Sequence, residues 1–228
     1  MKNLKLILFA MLLLSETNLL NAQIHIGVKG GVNFTDQEIS GFIPGLTPDP
    51  EVLPAFSLGI MAEIPIEGNF SFRPELQYIR KGFRVSENIN PEFLGFPIPI
   101  GARADTRLNY LEMPLLLQYR YGNEKAGVYG IAGPSIGYAM SANIQPFATL
   151  LVTVRLPEVD INLNSDTYNR FELGGIAGLG GDLAAGNGKI FADIRYQYGF
   201  TNFLDDPIIN TQFRNRGVNI TAGYALKF

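Results

Sequence analysis

The sequence predicts an all-β protein, an eight-stranded antiparallel up-and-down barrel that crosses a membrane with its strands, with short periplasmic turns and long extracellular loops. Three observations carry this. Eight stretches alternate apolar and polar residues with period two, as strands with one apolar face do. The connections between them alternate long and short, which in a meander gathers all short turns at one rim and all long loops at the other. The first residues are organised as an export signal.

That signal comes first. Lys2 and Lys5 supply positive charge, Leu6 to Leu14 form a nine-residue apolar run, and a more polar stretch ends in Ala22 before Gln23. Nine residues suit a signal-peptide core and fall well short of the ~20 that span a bilayer. The expected division is a signal peptide over residues 1–22, removed on export, and a barrel domain over residues 23–228. No later segment is apolar for long enough to cross as a helix.

The first stretch, Ile24–Phe34, sets Ile26, Val28 and Val32 against His25, Lys29 and Asn33. In the second, Phe56–Ile66, Phe56, Leu58 and Ile60 oppose Ser57, Gly59 and Glu63. The third, Phe70–Phe83, places Phe70, Phe72, Leu76 and Tyr78 opposite Arg73, Glu75 and Gln77. The fourth, Leu108–Tyr121, places Leu111, Met113, Leu115, Leu117 and Tyr119 opposite Glu112, Gln118 and Arg120. Gly127–Ser141, the fifth, is apolar on both sides and leaves its facing open. The sixth, Tyr168–Leu183, carries Phe171, Leu173, Leu179 and Leu183 against Arg170, Glu172 and Asp182. Ile190–Phe200 alternates Ile190, Ile194, Tyr196 and Tyr198 with Phe191, Asp193, Arg195 and Gln197. The last runs to the end, with Val218, Ile220, Tyr224, Leu226 and Phe228 opposite Asn219, Thr221 and Lys227.

The long connections are Thr35–Ala55, Arg84–Arg107, Ala142–Thr167 and Thr201–Arg214, and they hold most of the prolines. Within the third, Phe147–Leu156 is strand-like and extends the hairpin beyond the membrane. The short ones are Glu67–Asn69, Gly122–Lys125 and Ala184–Gly188, all with turn chemistry.

Alternation alone does not say which face points outward, because a soluble barrel has an apolar interior and a membrane barrel an apolar exterior. The polar face here is poor in lysine and rich in glycine and in alternating arginine and carboxylate, unlike a solvated face. Tyr78, Tyr119, Tyr121, Tyr138 and Tyr224 lie near the ends of apolar stretches, where interfacial girdles belong. Both features place the apolar face against lipid, in the outer membrane of a Gram-negative bacterium.

The inward face then holds Lys29, Arg73, Arg120, Arg170, Arg195 and Lys227 against Glu63, Glu75, Glu112, Glu172, Asp182 and Asp193, six of each sign. Lys81 and Lys189 lie nearer strand ends and are left outside this set. Balanced charge in a narrow lumen reads as a paired network, because buried charges persist only when paired and hydrogen-bonded. A wide diffusion pore is not expected. Arg80 falls on the apolar face and requires a bulge or a position above the bilayer.

Composition narrows the chemistry. The absence of cysteine excludes disulfides, thiolate metal sites and a cysteine lipid anchor, and a net charge of −3 gives no footprint for nucleic acid. His25 is the single histidine, placed at the turn rim with no serine evident beside it, so no catalytic residue, cofactor or metal site is expected. The run Gly174–Gly181 lacks the G-x-G-x-x-G order and reads as strand glycines under neighbouring aromatics. Asp205 and Asp206 read as a solvated loop pair. The partners expected are outer-membrane lipid and an extracellular or envelope protein met by the long loops. An interaction role, a secretion accessory and a small-solute channel all remain open.

Several segments resemble the PorT-like outer-membrane β-barrel family of Bacteroidota: Gly27–Phe34, Pro74–Phe83, Leu108–Tyr119, Gly130–Tyr138, Asp193–Asn202 and Gly223–Phe228. The resemblance covers essentially all of residues 23–228 and implies an eight-stranded outer-membrane barrel, with no assigned activity for most members. The founding member's tie to type IX secretion need not transfer. Thr221, Gly223, Leu226 and Phe228 also resemble the C-terminal signal read by the barrel-assembly machinery during insertion, with Leu226 standing where an aromatic is usual. Its physical sense is recognition of an unpaired edge strand by a partner sheet.

Overall fold

The computed structural model describes residues 23–40, 51–89, 92–93, 96–97, 100–164, 168–202 and 212–228. The expected signal peptide and the Asp205–Asp206 pair lie outside them. No helix occurs among the described residues.

Eight long strands form the wall: β1 (His25–Ser40), β2 (Glu51–Glu67), β3 (Phe70–Ile89), β4 (Ile100–Gly122), β5 (Ala126–Leu150), β6 (Phe171–Ala185), β7 (Gly188–Gly199) and β8 (Gln212–Lys227). Each is antiparallel to its sequence neighbour where the two pair, and β1 closes the ring on β8 from His25↔Lys227 to Ser40↔Gln212. A residue row followed around the ring from Ile64 passes Phe72, Leu117, Ala132, Ala177, Tyr196, Val218 and Phe34. It returns to β2 at Pro54, ten residues from its start. That stagger tilts the strands by about 40° and leaves room inside only for side chains.

Alternation decides the facing along the wall, with a shift in β5 where Met140 and Ser141 are both exposed. Leu58, Leu117, Val128, Leu179 and Ile190 are more than 45% exposed on the outer wall, while Lys29, Arg73, Glu75, Asp193 and Arg195 are under 5% exposed inside. A water-soluble domain has this arrangement reversed. The facing of Gly127–Ser141, open in the sequence, is now fixed: Tyr129, Ile131, Ser135 and Ala139 point inward, and Val128, Ile136, Tyr138 and Met140 point out. Aromatic pairs band the outer wall, Phe70 with Tyr119 (5.0 Å) near the turns and Phe56 with Tyr78 (5.6 Å) and Tyr138 with Phe171 (5.1 Å) toward the other end.

The short connections fall as expected, with Gly68 and Gly186 at φ of 57° and 59°, a region glycine occupies without strain. The long connections do not. Strands continue deep into Thr35–Ala55, Arg84–Arg107 and Ala142–Thr167, with β3 and β4 paired out to Ile89↔Ile100. Val152–Arg155 folds back on β5, as the strand-like reading of Phe147–Leu156 anticipated, and Val159–Ile161 pairs with β5 as well. The expected loops are largely paired hairpins standing above the barrel.

Candidate functional site

Beginning at the turn rim, the lumen is filled in layers. An open vestibule of about 510 Å³ is lined by His25, Glu63, Arg120, Asp182, Lys189 and Lys227, among others. Across it, Lys189 Nζ donates to both oxygens of Glu63 at 2.7 Å, and Arg120 grips Asp182 through Nε (2.8 Å) and a terminal nitrogen (2.6 Å). Apolar side chains follow, Met61 with Phe191 and Leu116 with Tyr129, Ile131 and Ile176.

The central layer is the densest. Arg195 donates from both terminal nitrogens to Glu75 at 2.7 and 2.9 Å, and from Nε to Asp193 at 2.6 Å. Lys29 donates to the same Glu75 carboxylate. Arg73 bridges the two acids, with Nε 2.9 Å from Glu75 and a terminal nitrogen 3.2 Å from Asp193. Asp193 also accepts from Tyr129 Oη (3.0 Å) and Thr221 Oγ1 (2.6 Å). These five charged side chains are at most 1% exposed, so the layer closes the lumen.

Three positive and two negative groups leave an excess cation here, and the layer above supplies the opposite sign: Lys81 lies between Glu172 and Glu112. Asn215 donates to Glu172, and Gln77 donates to Glu112 at 3.3 Å. At the hairpin end Leu163 packs, 6% exposed, onto lumen-facing Ile79, Leu108, Tyr110 and Ala142 and caps the stack.

Ten of the twelve expected lumen charges are placed in this network, and two are corrected. Arg170 has the parity of Glu172 but precedes the start of β6. Its guanidinium instead donates to the carbonyls of Ala139 (3.1 Å) and Met140 (3.4 Å) and lies over the Tyr138 ring at 4.8 Å. Lys227, one residue from the end of the chain, is exposed at the vestibule and has no ion-pair partner among the described residues. The places of these two are taken by Lys81 and Lys189, which the sequence reading set aside as too near strand ends. Both share the parity of neighbouring inward residues, Gln77 and Asp193, and that signal could have found them. The balance of six and six survives with the exchange.

Of the C-terminal signal residues, Thr221 and Gly223 have work inside the folded barrel. Thr221 bonds Asp193, and a side chain at Gly223 would overlap the Val28 carbonyl and the Phe191 ring. Leu226 and Phe228 face outward, exposed. Gly180, within the glycine run, sits under the Tyr129 ring in strand β6, so the run is strand, as expected.

Outside the wall, at the hairpin end, Asp105 is held by Arg84 at 2.7 Å (Nε) and 3.0 Å, with Arg103 and Arg107 at 3.5 and 3.7 Å. Burial would raise the Asp105 carboxyl, but Arg84 foremost, then Arg103 and Arg107, hold it below the ordinary carboxylate range. Arg80 stands on the outer face as its parity requires, stacked over Phe56 at 5.2 Å with Nε donating to Asn109 at 2.8 Å.

The profile of the outer membrane protein beta-barrel domain family matches residues 16–205. Among curated proteins none matches the chain. Among solved structures, the chain is similar to Neisserial surface protein A (14% identity, 89% of this chain and 97% of that one, TM-score 0.40). It is also similar to the attachment invasion locus protein of Yersinia pestis (13%, 90% and 99%, TM-score 0.40). A third is the outer membrane protein OprG from Pseudomonas aeruginosa (15%, 91% and 96%, TM-score 0.44).

Proposed function

The chain belongs to the outer membrane protein β-barrel domain family, in the outer membrane of a Gram-negative bacterium, and we propose that it is an interaction barrel rather than a conduit or an enzyme. In this reading the wall is a scaffold, and the paired hairpins at the extracellular end meet a partner in the envelope or outside the cell. The observation that carries it is the central layer, where Glu75, Asp193, Arg73, Arg195 and Lys29 leave no path along the axis. A solute channel would need that layer to part, at the cost of unpairing charges held away from water. The hairpins, in contrast, are ordered by strand pairing well past the aromatic band, out to Ile89↔Ile100 and Ser40↔Gln212. Pre-ordered surfaces lose less entropy on binding.

The test is to replace residues 142–164 by a short turn and follow two readouts in intact cells. Insertion, seen as a mobility difference between boiled and unboiled samples, is expected to persist, while adhesion of the cells or capture of an envelope partner changes. Hairpin replacements that alter no surface property would count against the reading.

A second reading rests on the PorT-like segments, Pro74–Phe83 and Leu108–Tyr119 above all: an accessory of type IX protein secretion. Deleting the gene and comparing secreted proteins tests it, and an unchanged set of secreted proteins removes it. Recognition of Thr221, Gly223, Leu226 and Phe228 by the assembly machinery belongs to the unassembled chain, since β8 is paired on both edges once folded.

A further inference from the structure

We infer that the outer face of β3 and β4, immediately above the lipid-facing band, binds the phosphate groups of a phosphorylated glycolipid of the outer leaflet. The argument starts from register. On this face the cross-strand pairs climb from Tyr78↔Leu111 to Arg80↔Asn109, Gly82↔Arg107 and Arg84↔Asp105. The first pair belongs to the apolar wall, where Tyr78 stacks on Phe56. The next three carry guanidinium groups on the same side of the sheet. One pleat of a strand tilted by about 40° rises roughly 5 Å, so Arg80, Arg107 and Arg84 occupy the headgroup zone.

Charge on this face is not balanced from within. Among the described residues, Arg80, Arg84, Arg103 and Arg107 face Asp105 and the exposed Glu51, the latter beside Arg84, which leaves two cations in excess. Arg80 has no carboxylate partner among the described residues, although it stands on an apolar ring at the edge of the membrane. Arg107 reaches Asp105 only at 3.7 Å and donates no hydrogen bond among the described residues. The Nε of Arg103, buried against the Phe147 ring, lies 3.5 Å from Asp105 and makes no hydrogen bond among the described residues. Cations at a membrane surface are stabilised by anionic headgroups, and the planar guanidinium matches a phosphate through paired hydrogen bonds.

The position selects a lipid over a free ion. Phe56, Leu58 and Tyr78 continue the apolar wall directly below Arg80, so a ligand held there by its phosphates lays its acyl chains on those side chains. One phosphate monoester of such a glycolipid, carrying about −1.5 to −2 near neutral pH, matches the two-charge excess. The inference uses the outward orientation of the hairpins but not the identity of any protein partner they meet.

The experiment refolds the full chain into phosphatidylcholine vesicles containing bisphosphorylated lipid A and measures the lipid A that stays with the barrel through detergent extraction. Wild type and Lys125→Gln, a change in a turn at the opposite rim, are expected to retain it equally. Arg80→Gln combined with Arg107→Gln is expected to retain on the order of tenfold less, the scale of losing charge-assisted hydrogen bonds. Arg107→Gln alone, at a side chain whose ion pair with Asp105 is long at 3.7 Å, should show part of the loss with little effect on folding. Equal retention by the double variant overturns the inference, as does equal retention of dephosphorylated lipid A. Displacement by inorganic phosphate as effective as by lipid A reassigns the site to a free ion and overturns it too. A barrel with only residues 152–161 replaced keeps Phe147 and the pairing of β4 with β5 and should still retain lipid A whatever the change does to adhesion, so failure of the interaction reading and failure of this one give different results.

Discussion

Arg195 on β7 reaches Glu75 on β3, at 2.7 and 2.9 Å, across the full width of the lumen. The two strands stand four places apart in a ring of eight, so the pair spans a diameter. Few contacts could hold a barrel round so directly. Its cost of desolvation is met because Lys29 and Arg73 also engage Glu75 and Asp193 takes the remaining donors of Arg195.

Glu75→Ala should therefore leave Lys29 and Arg195 short of a counter-charge in a dry layer. A loss of ~3 kcal/mol is expected, the usual scale for breaking a buried pair from one side. It is read as a lower urea midpoint for the slow-migrating or fast-migrating folded band on an unboiled gel. An unchanged midpoint would show that the network is not what stabilises the wall.

Much of this was legible in the sequence because the barrel wall imposes one rule on every strand. One face meets lipid and the other a filled lumen, so residues such as Ile190 to Phe200 alternate without a break. The rule lapses above the membrane, where both faces of a hairpin meet water, and Arg84–Arg107 read as loop although β3 and β4 stay paired there. Proline misled for a related reason. Pro146, one of the prolines that mark the long connections in the sequence, lies instead in β5 and accepts from the Leu156 amide at 3.0 Å. The lumen charges were harder to read, because parity names a side and not a partner. A lysine stem is long enough for Lys189, near the start of β7, to reach Glu63 on β2, while Arg170 stacks on Tyr138 instead.

The hairpin cap supplies the next expectation. Leu163 closes the upper lumen by packing on Leu108, Tyr110 and Ala142. Leu163→Asp would place a charge against that apolar cluster, and the segment around it should swing free. Limited proteolysis of whole cells should then cut within residues 152–164 in the variant and not in wild type. Equal resistance in both would show that Leu163 does not anchor the hairpin.

Gly180 tests how tightly the inner wall is packed. A valine there would overlap both the Tyr129 ring, whose hydroxyl bonds Asp193, and the Ala192 carbonyl of β7, so Gly180→Val should cost about 1–3 kcal/mol by overpacking. Pairing it with Tyr129→Ala should recover part of that by making room. A double variant no better than Gly180→Val would place the damage elsewhere.

Asp105 sets a pH dependence. Its folded carboxyl titrates below the ordinary value of about 3.9, so its contribution is present above that value and is lost as pH falls through the lower folded one. Hydrogen exchange of amides 100–107, corrected for intrinsic rate, should stay protected from pH 7 down to about 4 and open below it. Protection lost between pH 7 and 5 would contradict the Asp105 assignment.

The central claim is that the lumen is sealed by paired charge and that function lies on the outer surfaces. Recording current across a planar bilayer after inserting the refolded chain tests it most directly. No discrete conductance steps are expected from wild type, because the layer of Glu75, Asp193, Arg73, Arg195 and Lys29 has no opening. Regular steps of a single size, from protein whose gel mobility shows it folded, would contradict the account and return the barrel to the class of channels.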